Sequence, residues 1–157
     1  MQTHRRSVLR ALAGLLFVRL PASLALLAPL RALAAWPKAA FDASSSADVL
    51  DQLFKGKTVQ SSDAVQLEAP DIAENGSVVP VTVQTSLKGV KTVTVLAEQN
   101  PRVLVAQYSL SARSAAPVSF RLRLGKTQDV VAIVETEDGK LHKASKNVKV
   151  SLGGCGG

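Results

Sequence analysis

One cysteine, Cys155, occurs among the 157 residues. With no second thiol, an intrachain disulfide cannot form, and zinc sites built from several cysteines are excluded. Histidine is nearly as scarce: His4 and His142 are the only two, too few for a histidine-rich metal cluster. Aromatic residues make up 4% of the chain, which excludes the stacking platforms that single-stranded nucleic acid requires. Long uninterrupted apolar runs are missing too. Arg19 divides the leading apolar stretch into Ala11–Val18 and Leu20–Leu30, and Pro21 and Pro29 interrupt the second piece. A membrane-spanning helix needs about 20 apolar residues in succession. Finally, the first 34 residues contain no acid and no lysine.

What that front segment does contain is Arg5, Arg6, Arg10, Arg19 and Arg31, five of the seven net positive charges. Removing those five from 19 Lys+Arg leaves 14 against 12 Asp+Glu, so the rest of the chain is close to neutral and carries no footprint for nucleic acid. A charged start, an apolar centre and the small residues Ala32-Leu33-Ala34 follow one another in the order of an export signal. His4-Arg5-Arg6-Ser7-Val8-Leu9-Arg10 resembles a twin-arginine signal, with Val8 where phenylalanine is commoner and Arg10 where lysine is. That resemblance implies that Arg5 and Arg6 address the chain to the bacterial periplasm. Residues 1–34 are then removed by cleavage after Ala34 or Ala35, and no membrane association is left. Apolar residues are 46% and charged residues 20% of the sequence, a globular composition at a length that suits one domain with its own core.

Residues 35–46, with Pro37 and Ser44-Ser45-Ser46, read as a lead-in segment. Val49, Leu50, Leu53 and Phe54 then fall on one helical face, with Ser46 as an N-cap and Gly56 as a stop. From Val59 the period changes to two. Val65 and Leu67 alternate with polar residues, and Glu74-Asn75-Gly76 is a turn. Val79, Val81 and Val83 share a face, while Pro80 marks an edge strand or a strand's beginning. Thr92 to Ala97 is β-branched, Asn100-Pro101 turns, and Leu104, Ala106, Tyr108 and Leu110 alternate with Val105, Gln107 and Ser109. Val118, Phe120, Leu122 and Leu124 interleave with Ser119, Arg121 and Arg123. Val130 to Thr136 is apolar on both faces at its start, as a central buried strand is. Asp138-Gly139 is a hairpin signal joining that strand to Lys140–Ala144, and Asn147 to Leu152 reads as one more strand. Seven or eight short strands with regular turns and no helical crossovers predict an antiparallel β-sandwich over residues 47–152. The apolar residues on both faces of 92–97 and 130–134 exceed what two sheets alone must bury. A subunit docked over one sheet, or a fully buried central strand, would account for them.

Catalytic candidates are few. His142 sits beside Lys140 and Lys143, just after the hairpin, and reads as an ordinary strand residue. Asp129 and Glu135 lie at ordinary strand spacing and do not suggest an acid–base pair. Arg121 and Arg123 form a solvated face opposite Val118, Phe120, Leu122 and Leu124. The exception is the end of the chain, Gly153-Gly154-Cys155-Gly156-Gly157. The four glycines strip this arm of every side chain but one and give its backbone the widest conformational range. Fully extended, it holds the Cys155 sulfur roughly 10 Å beyond Leu152. A thiol on a thin rod is shaped to enter another protein's pocket rather than to form an active site of its own. An exposed cysteine without a nearby base titrates near 8.5, so activation would come from that pocket.

Residues 153–157, following the strand 147–152, resemble the end of the Y-subunit family of the bacterial sulfur-oxidation (Sox) carrier complex. The likeness extends through Ile72-Ala73-Glu74-Asn75-Gly76, Asn100-Pro101, and Arg121 to Ile133 with Gly125-Lys126-Thr127-Gln128. It implies an immunoglobulin-like sandwich of about seven strands with a short N-terminal helix, paired as a heterodimer with a second small β-sandwich subunit, Z (SoxZ). It also implies that Cys155 carries sulfur intermediates covalently while Gly153, Gly154, Gly156 and Gly157 give the arm freedom to enter successive pockets. The chain would be a non-catalytic carrier with no cofactor of its own, served by transient partner enzymes. A c-type cytochrome (SoxAX) would couple thiosulfate to Cys155. A manganese-dependent hydrolase (SoxB) would release sulfate, and a molybdenum sulfane dehydrogenase (SoxCD) would oxidise the remaining sulfur.

Other readings of a terminal Gly-Gly and a lone cysteine fit less well. Ubiquitin-like sulfur carriers need ATP, which an exported chain should not meet, and a β-grasp helix that this strand pattern lacks. Prenylation needs cysteine fourth from the end with aliphatic residues after it, whereas Cys155 is third from the end among glycines. An exported binding module whose Cys155 staples two chains by a disulfide is the remaining alternative.

Overall fold

A computed structural model of the chain describes residues 37–111 and 117–151. Two helices, α1 (Lys38–Asp42) and α2 (Ser46–Phe54), precede nine strands. The strands are β1 (Val59–Ser61), β2 (Val65–Glu68), β3 (Ile72–Ala73), β4 (Val79–Thr85), β5 (Val90–Ala97), β6 (Leu104–Ser109), β7 (Val118–Leu122), β8 (Gln128–Thr136) and β9 (Leu141–Val150). One sheet has the order β1-β9-β8-β5-β6, with β3 also pairing β9, and the other has the order β2-β4-β7. This is the expected immunoglobulin-like sandwich. The pairing is antiparallel except that β1 and β3 both run parallel to β9.

Strand alternation builds the interior. Val81, Val83, Val93, Val95, Val130, Val134 and Val148 are buried between the sheets, each side chain contributing about 1.5–3 kcal/mol by leaving water. The opposite face of the larger sheet is also dry. Leu96, Leu104, Ile133 and Leu141 pack against Ala40, Val49 and Phe54 of the two helices. The doubly apolar strands therefore need no second subunit over that face, because α1 and α2 cover it.

Several local expectations are corrected. The lead-in segment contains a helix, α1, whose Ala40 is buried. The cap of α2 is Ser45 rather than Ser46: its side chain accepts the Asp48 N–H at 3.1 Å, while the helix ends at Lys55 in the left-handed region, φ 50°. Pro80 is not on an edge strand. β4 is the middle strand of its sheet, but β2 pairs only with Thr82–Thr85, so the missing N–H at Pro80 falls beyond β2's reach and marks the strand's beginning. Leu104 does not share a face with Tyr108, because a register shift between Val95 and Leu96 places Val105 as an extra residue on β6. Leu104 thus turns to the helices and Tyr108 to the inter-sheet core. The two strands expected at 140–144 and 147–152 are one continuous strand, β9, paired with β8 from Leu141 to Val148.

Candidate functional site at the end of β9

β9 leads into the Gly-Gly-Cys-Gly-Gly segment, so what holds its last residues decides where that segment starts. The ladder to β8 ends at the pair Gln128 and Val148. Beyond it, three groups far apart in sequence take over the backbone. The Lys149 N–H donates to the Asp71 carbonyl at 3.0 Å and the Ser151 N–H to the Ala73 carbonyl at 3.0 Å, both from the β3 segment. The Val150 N–H donates to the Thr127 Oγ1 at 3.0 Å. Lys146 reaches Asp71 at 3.0 Å, but Asp71 is largely exposed and such a pair adds little.

A buried amide braces the loop that carries Thr127. Gln128 is 4% exposed. Its Oε1 accepts the Gln99 N–H at 2.8 Å, and its Nε2 donates to Asn100 Oδ1 at 3.1 Å and to the Lys126 carbonyl at 3.3 Å. Asn100 in turn donates to the Arg123 carbonyl at 2.7 Å and accepts the Gly125 N–H at 3.2 Å. The 99–100 turn and the 123–128 loop are thereby locked together, with all of these polar atoms satisfied as burial demands.

Gly76 closes the site from below. Its carbonyl accepts the Leu124 N–H at 2.7 Å. A β-carbon there would lie 2.4 Å from the Leu124 carbonyl oxygen and 2.7 Å from Val150 Cγ1, closer than atoms can pack, so this approach admits only glycine. Beside it is a cleft of about 200 Å³ bordered by Asn75, Gly76, Arg123, Gly125, Val150 and Ser151. The three internal segments noted in the sequence thus meet at one place, the end of β9.

Arg121 and Arg123 are exposed on β7 and just after it, as a solvated face requires. Among the described residues neither they nor Lys126 and Lys149 take part in an ion pair. Among the described residues, a carboxylate held far from its ordinary range lies at the other end of the sandwich. There the Lys140 ammonium, followed by the Thr136 hydroxyl, hydrogen-bonds the Asp138 carboxylate and holds it well below the usual carboxylate range.

The sequence-derived candidates separate into two groups. Cys155, Gly153, Gly154, Gly156 and Gly157, like Arg5 and Arg6, lie outside the described residues. His142 is half-buried opposite Val134 and borders a groove with Lys88, Asp138 and Lys140. Asp129 accepts a hydrogen bond from Asn147 at 2.8 Å. Glu135 is 6% exposed and bonded to Lys57 at 3.0 Å and Thr92 at 3.3 Å. Each has a separate structural partner, and nothing brings them together as a pair. No group of three or more His, Cys, Asp or Glu that could hold a metal ion occurs among the described residues, nor does any helix there have the length and apolarity to cross a membrane. The bracing roles of Thr127, Gln128 and Gly76 are not visible in strand periodicity. The only hint is a polar Gln128 next to the apolar run Val130–Val134 of β8.

Comparison with known proteins supplies the context. A family model described as "Sulfur oxidation protein SoxY" matches residues 50–155. The solved structure of the sulfur carrier protein SoxY from Chlorobium limicola f thiosulfatophilum is 38% identical. That match covers 68% of this chain and 96% of that one, with a TM-score of 0.61. A point variant of superoxide reductase (neelaredoxin) from Ignicoccus hospitalis is 18% identical with a TM-score of 0.53, covering 59% of this chain and 94% of that one. A putative superoxide reductase from Thermotoga maritima is 14% identical with the same TM-score and the same coverage. These last two share the fold alone. No curated protein matches the sequence.

Proposed function

The chain belongs to the SoxY family of sulfur oxidation proteins, and from that premise we propose that it carries sulfur intermediates covalently on Cys155 and presents them to successive enzymes. The observation that carries this reading is the family match running through residue 155, so that it takes in the only cysteine of the chain. The braced end of β9 supports it, because a fixed root with a side-chain-poor extension lets one thiol reach into pockets while the body stays folded.

The chemistry balances with the chain as carrier and other proteins as catalysts. In loading, the Cys155 thiol gives up its proton, its sulfur bonds to the outer sulfur of thiosulfate, and two electrons leave to the c-type cytochrome. In hydrolysis, the bond between that outer sulfur and the sulfonate breaks. The water oxygen stays with sulfate, and a persulfide remains on Cys155, a reversible state of cysteine. The sulfane dehydrogenase then takes six electrons from the outer persulfide sulfur, which gains three oxygens from water and becomes a sulfonate, and a second hydrolysis breaks its bond to the Cys155 sulfur, releasing sulfate and returning the thiol. The carrier needs no cofactor in any of these steps. Its stable partner in this reading is a Z-type β-sandwich subunit, and its compartment is the periplasm, reached through Arg5 and Arg6.

The test is the intact mass of the chain purified from thiosulfate-exposed cells. Sulfur-containing adducts that a reductant removes, and that are absent from Cys155→Ser, are expected. An unmodified thiol under all conditions would sink the carrier reading.

A further inference from the structure

Three asparagines occur in the chain, Asn75, Asn100 and Asn147, and the fold places them in unequal chemical settings. Asparagine is a thermolabile residue. It loses its side-chain amide when the backbone nitrogen of the next residue attacks the side-chain carbonyl carbon, so the reaction needs a proton to leave that nitrogen, room around it and a backbone free to turn. Asn100 precedes Pro101, which has no N–H to give up, and its side chain is held by the Arg123 carbonyl, the Gly125 N–H and Gln128. Asn147 precedes the β-branched Val148, lies within the β8–β9 ladder and donates to Asp129. Both settings oppose the attack.

Asn75 differs from them at each point. It is exposed, and the residue after it is Gly76, which has no side chain to crowd the approach to its nitrogen. The turn that begins at Asn75 closes through the Val78 N–H, which donates to the Asn75 carbonyl at 3.2 Å, a bond that leaves out the amide of the residue between. The brace on Gly76 acts through its carbonyl, by way of the Leu124 N–H, and among the described residues no hydrogen bond holds the Gly76 N–H. The Asn75 Oδ1 accepts the Ser77 N–H at 2.9 Å, which draws the side-chain carbonyl over the backbone that follows and polarises its carbon.

We propose that Asn75 is a self-modification site of the chain, converting to isoaspartate and aspartate, and that the isoaspartate form loosens the end of β9. The Gly76 nitrogen bonds to the Asn75 side-chain carbon and gives up its proton, and the side-chain amide leaves as ammonia, forming a cyclic imide. Water then opens the ring. Opening at the side-chain carbonyl gives aspartate. Opening at the main-chain carbonyl gives isoaspartate, whose backbone runs through the former side chain and is longer by one carbon. Nothing is oxidised or reduced, and a negative charge is added. The longer backbone has little slack to absorb it. Ala73 is tied to the Ser151 N–H and Val79 is paired with Leu122. Gly76, between them, already packs so closely that a β-carbon would lie 2.4 Å from the Leu124 carbonyl oxygen. The added length therefore falls on the contact of Gly76 with Leu124 and Val150. This chemistry needs no partner and is independent of what Cys155 carries.

The experiment incubates the chain, purified as cells export it, at mildly acidic and mildly alkaline pH and follows each asparagine by peptide mass mapping, with isoaspartyl methyltransferase labelling to separate the two products. A synthetic peptide of residues 70–80 serves as the clock. Asn75 is expected to convert at least about tenfold faster than Asn100 or Asn147, faster at alkaline pH because the attacking nitrogen must lose its proton, and with isoaspartate in excess of aspartate. Asn75→Ser should show no conversion at that position. In the isoaspartate fraction the Val150 and Ser151 amides should exchange at least about tenfold faster than in the fresh chain. Asn75→Asp adds the charge without the carbon and should keep native exchange. An Asn75 that stays intact after the peptide has converted, equal rates at the three asparagines, or aspartate without isoaspartate overturns the modification site. Unchanged exchange in the isoaspartate fraction, or the same loosening in Asn75→Asp, overturns its effect on β9.

Discussion

β9 is held at both ends, but by partners at very different distances along the chain. At its start the hairpin is local: Thr136 N–H donates to the Lys140 carbonyl at 3.1 Å, Gly139 N–H to the Thr136 carbonyl at 2.8 Å, and Gly139 takes φ +79°. At its finish, Val150 depends on Thr127 and Ser151 on Ala73, residues whose own positions depend on Gln128, Asn100 and Gly76. A local contact costs little loop entropy, whereas a distant one forms only when much of the chain is already in place. The end that leads into the Gly-Gly-Cys-Gly-Gly segment is therefore expected to assemble later and loosen earlier, because its fixity is a property of the whole fold.

Substitutions at the two ends break or sharpen this contrast. Gly76→Ala should have the largest effect. The new β-carbon cannot be placed without moving the 124 backbone or Val150, and such overpacking costs about 3 kcal/mol, measurable by denaturant unfolding. The Val150 and Ser151 amides should lose protection while Thr136 and Gly139 keep theirs. Gln128→Ala comes next. It removes the three hydrogen bonds by which the buried Gln128 amide ties Gln99, Asn100 and Lys126 together, a loss of about 2 kcal/mol, with the same localisation in hydrogen exchange. Thr127→Val keeps the side-chain shape and removes only the acceptor of Val150, so about 1 kcal/mol is expected, and faster exchange of the Val150 amide should be its main signature. Equal loosening of both ends in these variants would refute the contrast.

The smallest effect belongs to the hairpin. Asp138 is held well below the ordinary carboxylate range by Lys140 and then Thr136. Its contribution to stability is fully present above the unfolded value near pH 4 and is lost as pH falls through the lower folded value. Thermal melts from neutral pH to about pH 2 should therefore show a shallower acid decline for Asp138→Asn than for the wild type, with the small difference between them present at pH 7 and closing as the pH falls.

Much of this architecture was legible because it is periodic. Alternation at Val79, Val81 and Val83, at Val118, Phe120 and Leu122, and in the apolar run of β8 identified strands and their inward faces. Asp138-Gly139 identified the hairpin. The misreadings came where a distant partner overrides a local signal. Of the two readings of Pro80, the strand's beginning holds and the edge strand does not, because β4 is a middle strand that β2 stops short of covering there. The β6 bulge rotates Leu104 away from the face its spacing suggests. The interval 144–147 reads as a break between strands, yet β8 pairs straight through it. The surplus apolar surface left a docked subunit or a fully buried central strand open, and sequence alone could not assign its cover to two helices of the same chain. At the candidate site, glycines and a lone thiol announce themselves by composition, whereas an amide such as Gln128 gains its role only from what surrounds it.

The sequence by itself determined the sandwich class, the near-neutral balance of charge after an arginine-rich first 34 residues, and the single cysteine among glycines, because composition, spacing and period two are properties of the chain alone. Only the tertiary structure decided that β1 and β3 run parallel to β9, that Gly76 must lack a side chain, and that β2 stops short of Pro80. Each of these depends on which strand lies beside which. Strand neighbours are set by contacts between residues far apart in the chain, and no local pattern encodes them.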